Sequence, residues 1–401
     1  MNTSTENNSA SRIELPLKLY EPQWGTELTN IILELERLRQ TRLGGPVPPY
    51  IFFQLKGIFQ MLESLGSARI EGNRTTLTEF VERVIEKKRR PVDGDAQMRE
   101  IANIETAIDF IESNIQAGAK LTRAHLSEIH KIIVADLPPP PGGEGSRSPG
   151  AYRTESVRIQ NADHVPPDYT RVPEYMDELL DFVNAPVESK NDLLVTALAH
   201  HRAAWIHPFD NGNGRAVRML TYALLIKQGF EVKTGRILNP TAIFCNDRNQ
   251  YYDMLALADT GEPERVLAWC EYVLAGLLEE IKKIDRLLDY KFMKTSILTP
   301  ALAFALDRKF ITPREHAILE TVINTDGMAV KSADIEQAIG EASPVTRSRV
   351  IRQLRQKEML VPLKDKGRIY TIQFANNYLL RGIVEVLIEQ GFVPASLNQN
   401  N

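Results

Sequence analysis

Residues 207–218 read His-Pro-Phe-Asp-Asn-Gly-Asn-Gly-Arg-Ala-Val-Arg. Gly212 and Gly214 let the backbone turn tightly, through φ values that other residues resist. Arg215 then opens a helix whose apolar positions include Met219, Leu220, Leu224 and Leu225. A glycine-rich turn feeding a helix N-terminus presents free backbone N–H groups and the positive end of the macrodipole, which together make an anion site. Arg215 and Arg218 are three residues apart, share a helix face and can add charge-assisted bonds to phosphate oxygens. His207 enters the same turn, where an imidazole can take a proton from an attacking hydroxyl. A plain helix–loop–helix connection with a loop histidine competes with this reading. Seven residues at fixed spacing (His207, Pro208, Phe209, Gly212, Asn213, Gly214 and Arg215) weigh against it, since chance assembly is on the order of one in a billion per starting position.

The segment resembles the signature of the Fic (Fido) family, HPFx(D/E)GN(G/K)RxxR. The resemblance implies a mostly helical core whose usual activity is adenylylation, the transfer of AMP from ATP to a Ser, Thr or Tyr hydroxyl on a protein. By position, His207 would be the general base and Phe209 a core anchor. Gly212, Asn213, Gly214 and Arg215 would form the phosphate cradle, and Arg218 would hold the γ-phosphate. The family's magnesium-ligating acid falls at Asn211, with Asp210 one place early. An amide oxygen can ligate Mg²⁺ but lacks the charge a hard dication favours, so Asn211 is expected to be a weak metal ligand. Some relatives with altered motifs transfer phosphate or phosphocholine instead, and removal of AMP by the same site is a further alternative.

Three other segments extend the resemblance. Ser67-Ala-Arg-Ile-Glu71-Gly72 matches the family's inhibitory motif (S/T)xxxE(G/N). The periodicity places Glu71 at the end of a helix over about 51–71, before a Gly72 cap, with Ser67 one turn back. A carboxylate there faces the negative end of the dipole and favours a cationic partner. The resemblance supplies Arg218 as that partner, with Glu71 holding ATP in an unproductive pose. Gly150-Ala-Tyr-Arg153 followed by Val157, Arg158 and Ile159 resembles the flap that pairs with the target as an added strand; an ordinary surface hairpin is the alternative. Tyr251 and Tyr252 stand where relatives often carry tyrosines near adenine, although two tyrosines opening a helix also suit simple packing.

These residues need elements to position them. With 43% hydrophobic and 25% charged residues, the chain has globular composition, which excludes wholesale disorder. A net charge of −4 argues against a binder whose whole surface is basic, though not against a local basic patch. Cys245 and Cys270 are the only cysteines, which excludes a disulfide scaffold and a cysteine-rich zinc module and fits a reducing cytosol. The polar start lacks a signal-peptide core and no apolar run suits a membrane span, so a cytoplasmic protein is expected.

Helical spacing recurs over 29–41, 49–71, 76–88, 98–117, 122–135, 173–183, 190–205, 215–228, 251–257 and 262–288. The Pro/Gly-rich stretch after Ala135 reads as a loop, and Ser156–Asn161 as one arm of a short hairpin. After residue 290 the pattern changes. Thr312–Asn324, Ser332–Ile339 and Ser343–Lys357 read as helices, and Met359–Leu363 and Arg368–Phe374 as β-type runs. Together they suggest a winged helix-turn-helix. Its third helix and wing carry Arg347, Arg349, Arg352, Arg355, Lys357, Lys364, Lys366 and Arg368, a footprint that suits DNA phosphates; protein docking or dimerisation is the alternative.

The expected architecture is therefore mainly α: a Fic-type helical core with a short β-hairpin flap, plus the winged helix. The expected division is a disordered 1–13, an N-terminal helical region 14–118, a catalytic core 119–290, a winged-helix domain 291–390 and a flexible tail 391–401. The resemblance implies ATP with Mg²⁺, or Mn²⁺ in its place. The expected partner is a protein substrate, the chain itself among the candidates, with no membrane partner; homodimerisation is compatible with the sequence.

Overall fold

The computed structural model describes residues 15–40, 47–86, 95–159, 162–232, 237–335, 338–340, 343–364 and 367–397. The expected disordered segment 1–13 and the end of the expected tail lie outside them. The helices are α1 (Glu27–Gln40), α2 (Pro49–Ile70), α3 (Leu77–Ile85), α4 (Ala96–Asn114), α5 (Arg123–Ile133), α6 (Val172–Asn184), α7 (Asp192–Ile206), α8 (Asn213–Lys227), α9 (Thr241–Asn246), α10 (Arg248–Ala258) and α11 (Pro263–Asp285). Beyond them come α12 (Tyr290–Phe292), a π-helical turn Met293–Leu298, α13 (Thr299–Asp307), α14 (Pro313–Asn324), α15 (Pro344–Gln356) and α16 (Leu379–Glu389). Among the described residues, no helix is long and apolar enough to cross a membrane.

The chain divides into two compact units, each discontinuous in sequence. The first comprises residues 1–38, 110–230 and 248–276, and holds the His207–Arg218 segment. Its centre is α7, nearly every residue of which is buried. Such a helix is apolar all round because neighbours cover every face. α8 packs on α7 and on α5. Trp269 is fully buried, and its indole N–H donates to the Ala197 carbonyl of α7 at 2.7 Å, which satisfies the ring's single polar group. At its C-terminus α8 closes on Gly229, whose φ is +97°. The Gly229 N–H donates to the Ile226 carbonyl and the Phe230 N–H to that of Leu225, the paired bonds of a Schellman cap.

The second unit comprises residues 39–109, 231–247 and 277–401. α2 is its longest wholly contained helix, and 16 of its residues are buried. It ends as the sequence leads one to expect. Glu71 is the C-cap and Gly72 follows with φ +101°. The Gly72 N–H donates to the Arg69 carbonyl and the Asn73 N–H to that of Ala68, again a Schellman cap. Ser67 is buried one turn back. Three short strands, β1 (Ala329–Lys331), β2 (Leu360–Pro362) and β3 (Ile369–Ile372), form an antiparallel sheet of order β1-β3-β2, with Val330 opposite Tyr370 and Val361 opposite Thr371. Gln54 of α2 pins the sheet. Its amide N–H donates to the Ile372 carbonyl at 3.1 Å and its oxygen accepts the Phe374 N–H at 2.7 Å.

α14 and α15 start where the ranges Thr312–Asn324 and Ser343–Lys357 place them. Thr312 and Glu315 close a capping box, with Pro313 in the first turn. Ser343 caps α15, with Pro344 at its start. Two expectations fail. Lys331 begins a turn, and no helix is assigned to 332–335 or 338–340 where Ser332–Ile339 was expected; residues 336 and 337 lie outside the described set. The Lys331 N–H donates to Asp334 Oδ2 at 2.6 Å across this turn. Ser156–Ile159 form no strand, so the expected flap hairpin is absent there. Alternation of side chains suits a strand, but without a partner's ladder the backbone gains nothing by pairing. Gln160 and Asn161, and Asp365 and Lys366 of the wing, are outside the described residues.

Candidate active site

The turn between α7 and α8 is built by backbone conformation first. His207 is the C-cap of α7 in the left-handed region, φ 51° and ψ 60°, which is uncommon for a residue with a Cβ and marks a position over-determined by its surroundings. The surroundings that fix it belong to Arg153, which is buried. Its Nε donates to the His207 carbonyl at 2.8 Å and one terminal nitrogen to the Pro167 carbonyl at 2.6 Å. The Arg153 backbone N–H donates to the Pro208 carbonyl at 2.9 Å. A guanidinium is suited to this role because it offers five donors in a rigid fork.

Phe209 anchors the turn as expected, only 2% exposed. Its N–H donates to Asn213 Oδ1 at 2.8 Å, and Asn213 Nδ2 donates back to the Phe209 carbonyl at 2.9 Å. The Asn213 side chain is therefore consumed in closing the loop, and the cradle's donors are backbone N–H groups. α8 begins at Asn213, with Gly212 as its N-cap at φ +74° and ψ 11°. An added Cβ on Gly212 would stand 2.9 Å from Val134 Cγ1. The position therefore requires glycine for its dihedral and for the space.

Arg215 and Arg218 are both buried. A terminal nitrogen of Arg215 donates to the Glu144 carbonyl at 2.7 Å and lies 3.4 Å from the Glu144 carboxylate, so Arg215 clamps the Pro/Gly-rich loop onto the turn. Burial, with the charge of Arg218 as a smaller contribution, holds His200 neutral, its pKa well below the ordinary range. Asp210 accepts the Ser146 hydroxyl at 2.5 Å and the Arg147 N–H at 2.7 Å. Asn211 Nδ2 donates to the Gly145 carbonyl at 3.1 Å. The one carboxylate next to the signature's acidic position is thus occupied by the 146–147 backbone and hydroxyl. Among the described residues, no group of three or more His, Cys, Asp or Glu side chains could hold a metal ion. The donor set does not fit a resident metal.

His130 of α5 was not anticipated from the sequence. It is fully buried against the turn, stacked on Phe209 with centroids 3.7 Å apart and planes 2° from parallel. Burial lowers its pKa to about 4, against the opposing pull of its bond to the Asn211 carbonyl. Leu126, Ile129, His130 and Ile133 form the buried stripe of α5. A histidine inside such a stripe must find polar partners, and that was the available signal.

The two tyrosines part company. Tyr251 is 3% exposed, and its hydroxyl lies 2.8 Å from His200 Nε2, whose Nδ1 lies 2.7 Å from the Thr221 hydroxyl. It is part of the core, the packing alternative. Tyr252 is 41% exposed and rests beside Arg248. Asp259 accepts from His201 Nε2 at 2.9 Å, and His164 Nε2 donates to the Trp205 carbonyl at 2.9 Å; both imidazoles are structural. Val157 and Ile159 are half-buried and Arg158 is exposed.

His207, at the left-handed end of α7 shortly before the N-terminus of α8, sits inside a segment with clear relatives. Residues 120–225 match the Fic/DOC family. The Fic/DOC segment carries His130, Arg153 and the whole turn. Protein adenylyltransferase Fic of Drosophila willistoni is 30% identical over 199 residues, 49% of this chain and 36% of that protein. Protein adenylyltransferase Fic of Nematostella vectensis is 30% identical over 204 residues, 49% of this chain and 42% of that protein. This chain thus spans well under half the length of either relative. A crystal structure of a Fic family protein from Desulfovibrio desulfuricans G20 superposes with a TM-score of 0.52 at 21% identity, covering 88% of this chain and 98% of that one. That likeness is one of fold.

Proposed function

We propose that the chain is a protein adenylyltransferase, taking ATP as its magnesium complex and a protein hydroxyl as acceptor. The observation that carries this is the turn itself: His207 ends α7 in the left-handed region, and after five residues closed by Gly212 the N-terminus of α8 opens at Asn213. The triphosphate lies on the N–H groups of Gly212 to Arg215, where dipole and donors favour negative charge. The acceptor hydroxyl loses its proton to His207 as its oxygen bonds to the α-phosphorus. The bond from that phosphorus to the bridging oxygen breaks, and pyrophosphate leaves with the electron pair. Positioning and fixed dipoles supply most of the rate. Mg²⁺, or Mn²⁺ in its place, would enter as part of the nucleotide substrate and supply charge stabilisation on the phosphates, with the Asn211 amide oxygen at most a weak additional ligand.

Three further assignments complete the reading. Glu71, in the motif Ser67 to Gly72, restrains the enzyme by competing for the arginine that holds the γ-phosphate, Arg218. Residues 157–159 receive the target as an added strand, which the unpaired backbone at Ser156–Ile159 favours. Tyr252 supplies the adenine contact. Residues 291–390 are assigned to a winged-helix domain, a reading supported by α14, α15 and the three-stranded sheet. Its exposed Arg349, Arg352 and Arg355 lie on one face of α15, which favours DNA as a second ligand. A mobility-shift titration that loses binding steeply with salt supports that ligand, and salt-insensitive or absent binding removes it.

The deciding experiment is mass spectrometry of the Glu71→Gly protein after incubation with ATP, Mg²⁺ and cell lysate. An AMP adduct on a Ser, Thr or Tyr side chain, of this chain or another protein, is the expected result. A different phosphate-containing adduct would move the assignment to another transferase. No adduct, with ATP bound, would refute transfer and leave a nucleotide-sensing regulator.

A further inference from the structure

We propose that His130 is a positioning residue of the phosphate site: it fixes the orientation of the Asn211–Gly212 peptide and so aims the first N–H of the cradle at the ligand. The proposal rests on the reading of the turn as a phosphate site. The Gly150 N–H donates to His130 Nδ1 at 2.8 Å, so Nδ1 carries a lone pair and Nε2 carries the proton. Nε2–H therefore donates to the Asn211 carbonyl at 2.9 Å. A trans peptide holds its C=O and N–H antiparallel in one plane. With the carbonyl pinned to the imidazole, the Gly212 N–H points away from α5.

Gly212 is also where restraint is needed. Glycine has no Cβ to forbid the flipped peptide, and a flipped peptide would present a carbonyl dipole to a phosphate oxygen. Three contacts hold the imidazole itself: the Phe209 ring at 3.7 Å, the Gly150 N–H and the Asn211 carbonyl. Asp210 and Arg215 are its charged neighbours and act in opposite directions. The ring stays neutral at physiological pH, and the donor and acceptor ends keep their places.

Only Gly212 and Gly214 follow an asparagine in this sequence. Protein labelled with ¹³C at Asn carbonyls and ¹⁵N at Gly therefore shows two edited amide signals. His130→Phe keeps a flat ring against Phe209 and removes the donor. The expected result, without nucleotide, is a displaced or broadened Gly212 signal and an unchanged Gly214 signal. ATP affinity by calorimetry should fall about tenfold, as for one lost oriented hydrogen bond. His130→Gln, whose amide can reach the same carbonyl, should recover part of both. A folded His130→Phe protein with the wild-type Gly212 signal and ATP affinity within about twofold overturns the proposal. Should that variant not fold, long-range imidazole spectra of the wild type decide: a bare Nδ1 and protonated Nε2 are required, and the reverse tautomer overturns the proposal. Failure of the wild type to bind ATP would sink the adenylyltransferase reading, while the Gly212 signal would still report the peptide.

Discussion

Gly212→Ala and Gly229→Ala change the same residue type at the two ends of α8, and the structure separates their costs. Both positions need positive φ, +74° and +97°. An alanine there costs about 1–2 kcal/mol from the backbone alone. At Gly229 an added Cβ meets nothing within 4 Å, whereas at Gly212 it stands 2.9 Å from Val134 Cγ1. Val134 must then shift against α5, which adds about 1–3 kcal/mol of overpacking. Gly212→Ala should therefore lose about 2–5 kcal/mol, and for a unit of this size each kcal/mol lowers the melting temperature by roughly 2–4 °C. In the proposed site, Gly212 faces the phosphate chain and Gly229, at the other end of α8, does not. Differential scanning calorimetry with ATP titration reads both effects. Gly229→Ala should melt a few degrees low and bind ATP normally. Gly212→Ala should melt lower still and bind ATP at least about tenfold more weakly. Equal melting losses in the two variants, or normal ATP binding by Gly212→Ala, would refute the reasoning.

Other outcomes follow from the same geometry. His207→Ala should abolish AMP incorporation from labelled ATP and leave ATP affinity within about threefold, because the imidazole acts on the acceptor's proton. Glu71→Gly should raise incorporation, and a variant no more active than wild type would remove Glu71 as the restraint. Asn211→Asp should strengthen Mn²⁺ affinity in the presence of ATP, read by electron paramagnetic resonance, since it adds a charge facing a hard cation. His130 has its folded pKa lowered to about 4. Its unfolded form protonates first as pH falls, so its contribution is complete above about pH 6.5 and is lost towards pH 4, at most about 3 kcal/mol. Urea midpoints measured between pH 7 and pH 4.5 should fall in the wild type and fall less steeply in His130→Phe. Some slope should persist, because His200 is also buried and neutral.

The parts legible from sequence are those fixed by neighbours in the chain. The helix starts at Thr312 and Ser343, and the glycine stop at Gly72, rest on bonds across one helical turn. The turn from His207 to Arg215 is likewise local, and its types and order were enough to place the end of α7, the glycine at positive φ and the start of α8. What escaped is non-local. Arg153 reaches His207 across 54 residues and His130 reaches Asn211 across 81; neither distance leaves a trace in spacing. Tyr251 was weighed as a ring for adenine, yet His200, 51 residues away, claims its hydroxyl. Alternation at Ser156–Asn161 suggested a strand, but pairing depends on a partner the spacing does not provide. β1 was missed because three residues are too few to show a period.

The left-handed His207 has an evolutionary corollary. Glycine or asparagine would sit at φ 51° more comfortably than histidine does, so replacing the histidine relieves the backbone while, on the proposed reading, removing the base. A lineage released from selection for transfer should drift towards those residues at this position and gain heat resistance in doing so. Conversely, persistence of the histidine among divergent copies would mark lineages in which catalysis is still being maintained against that pull.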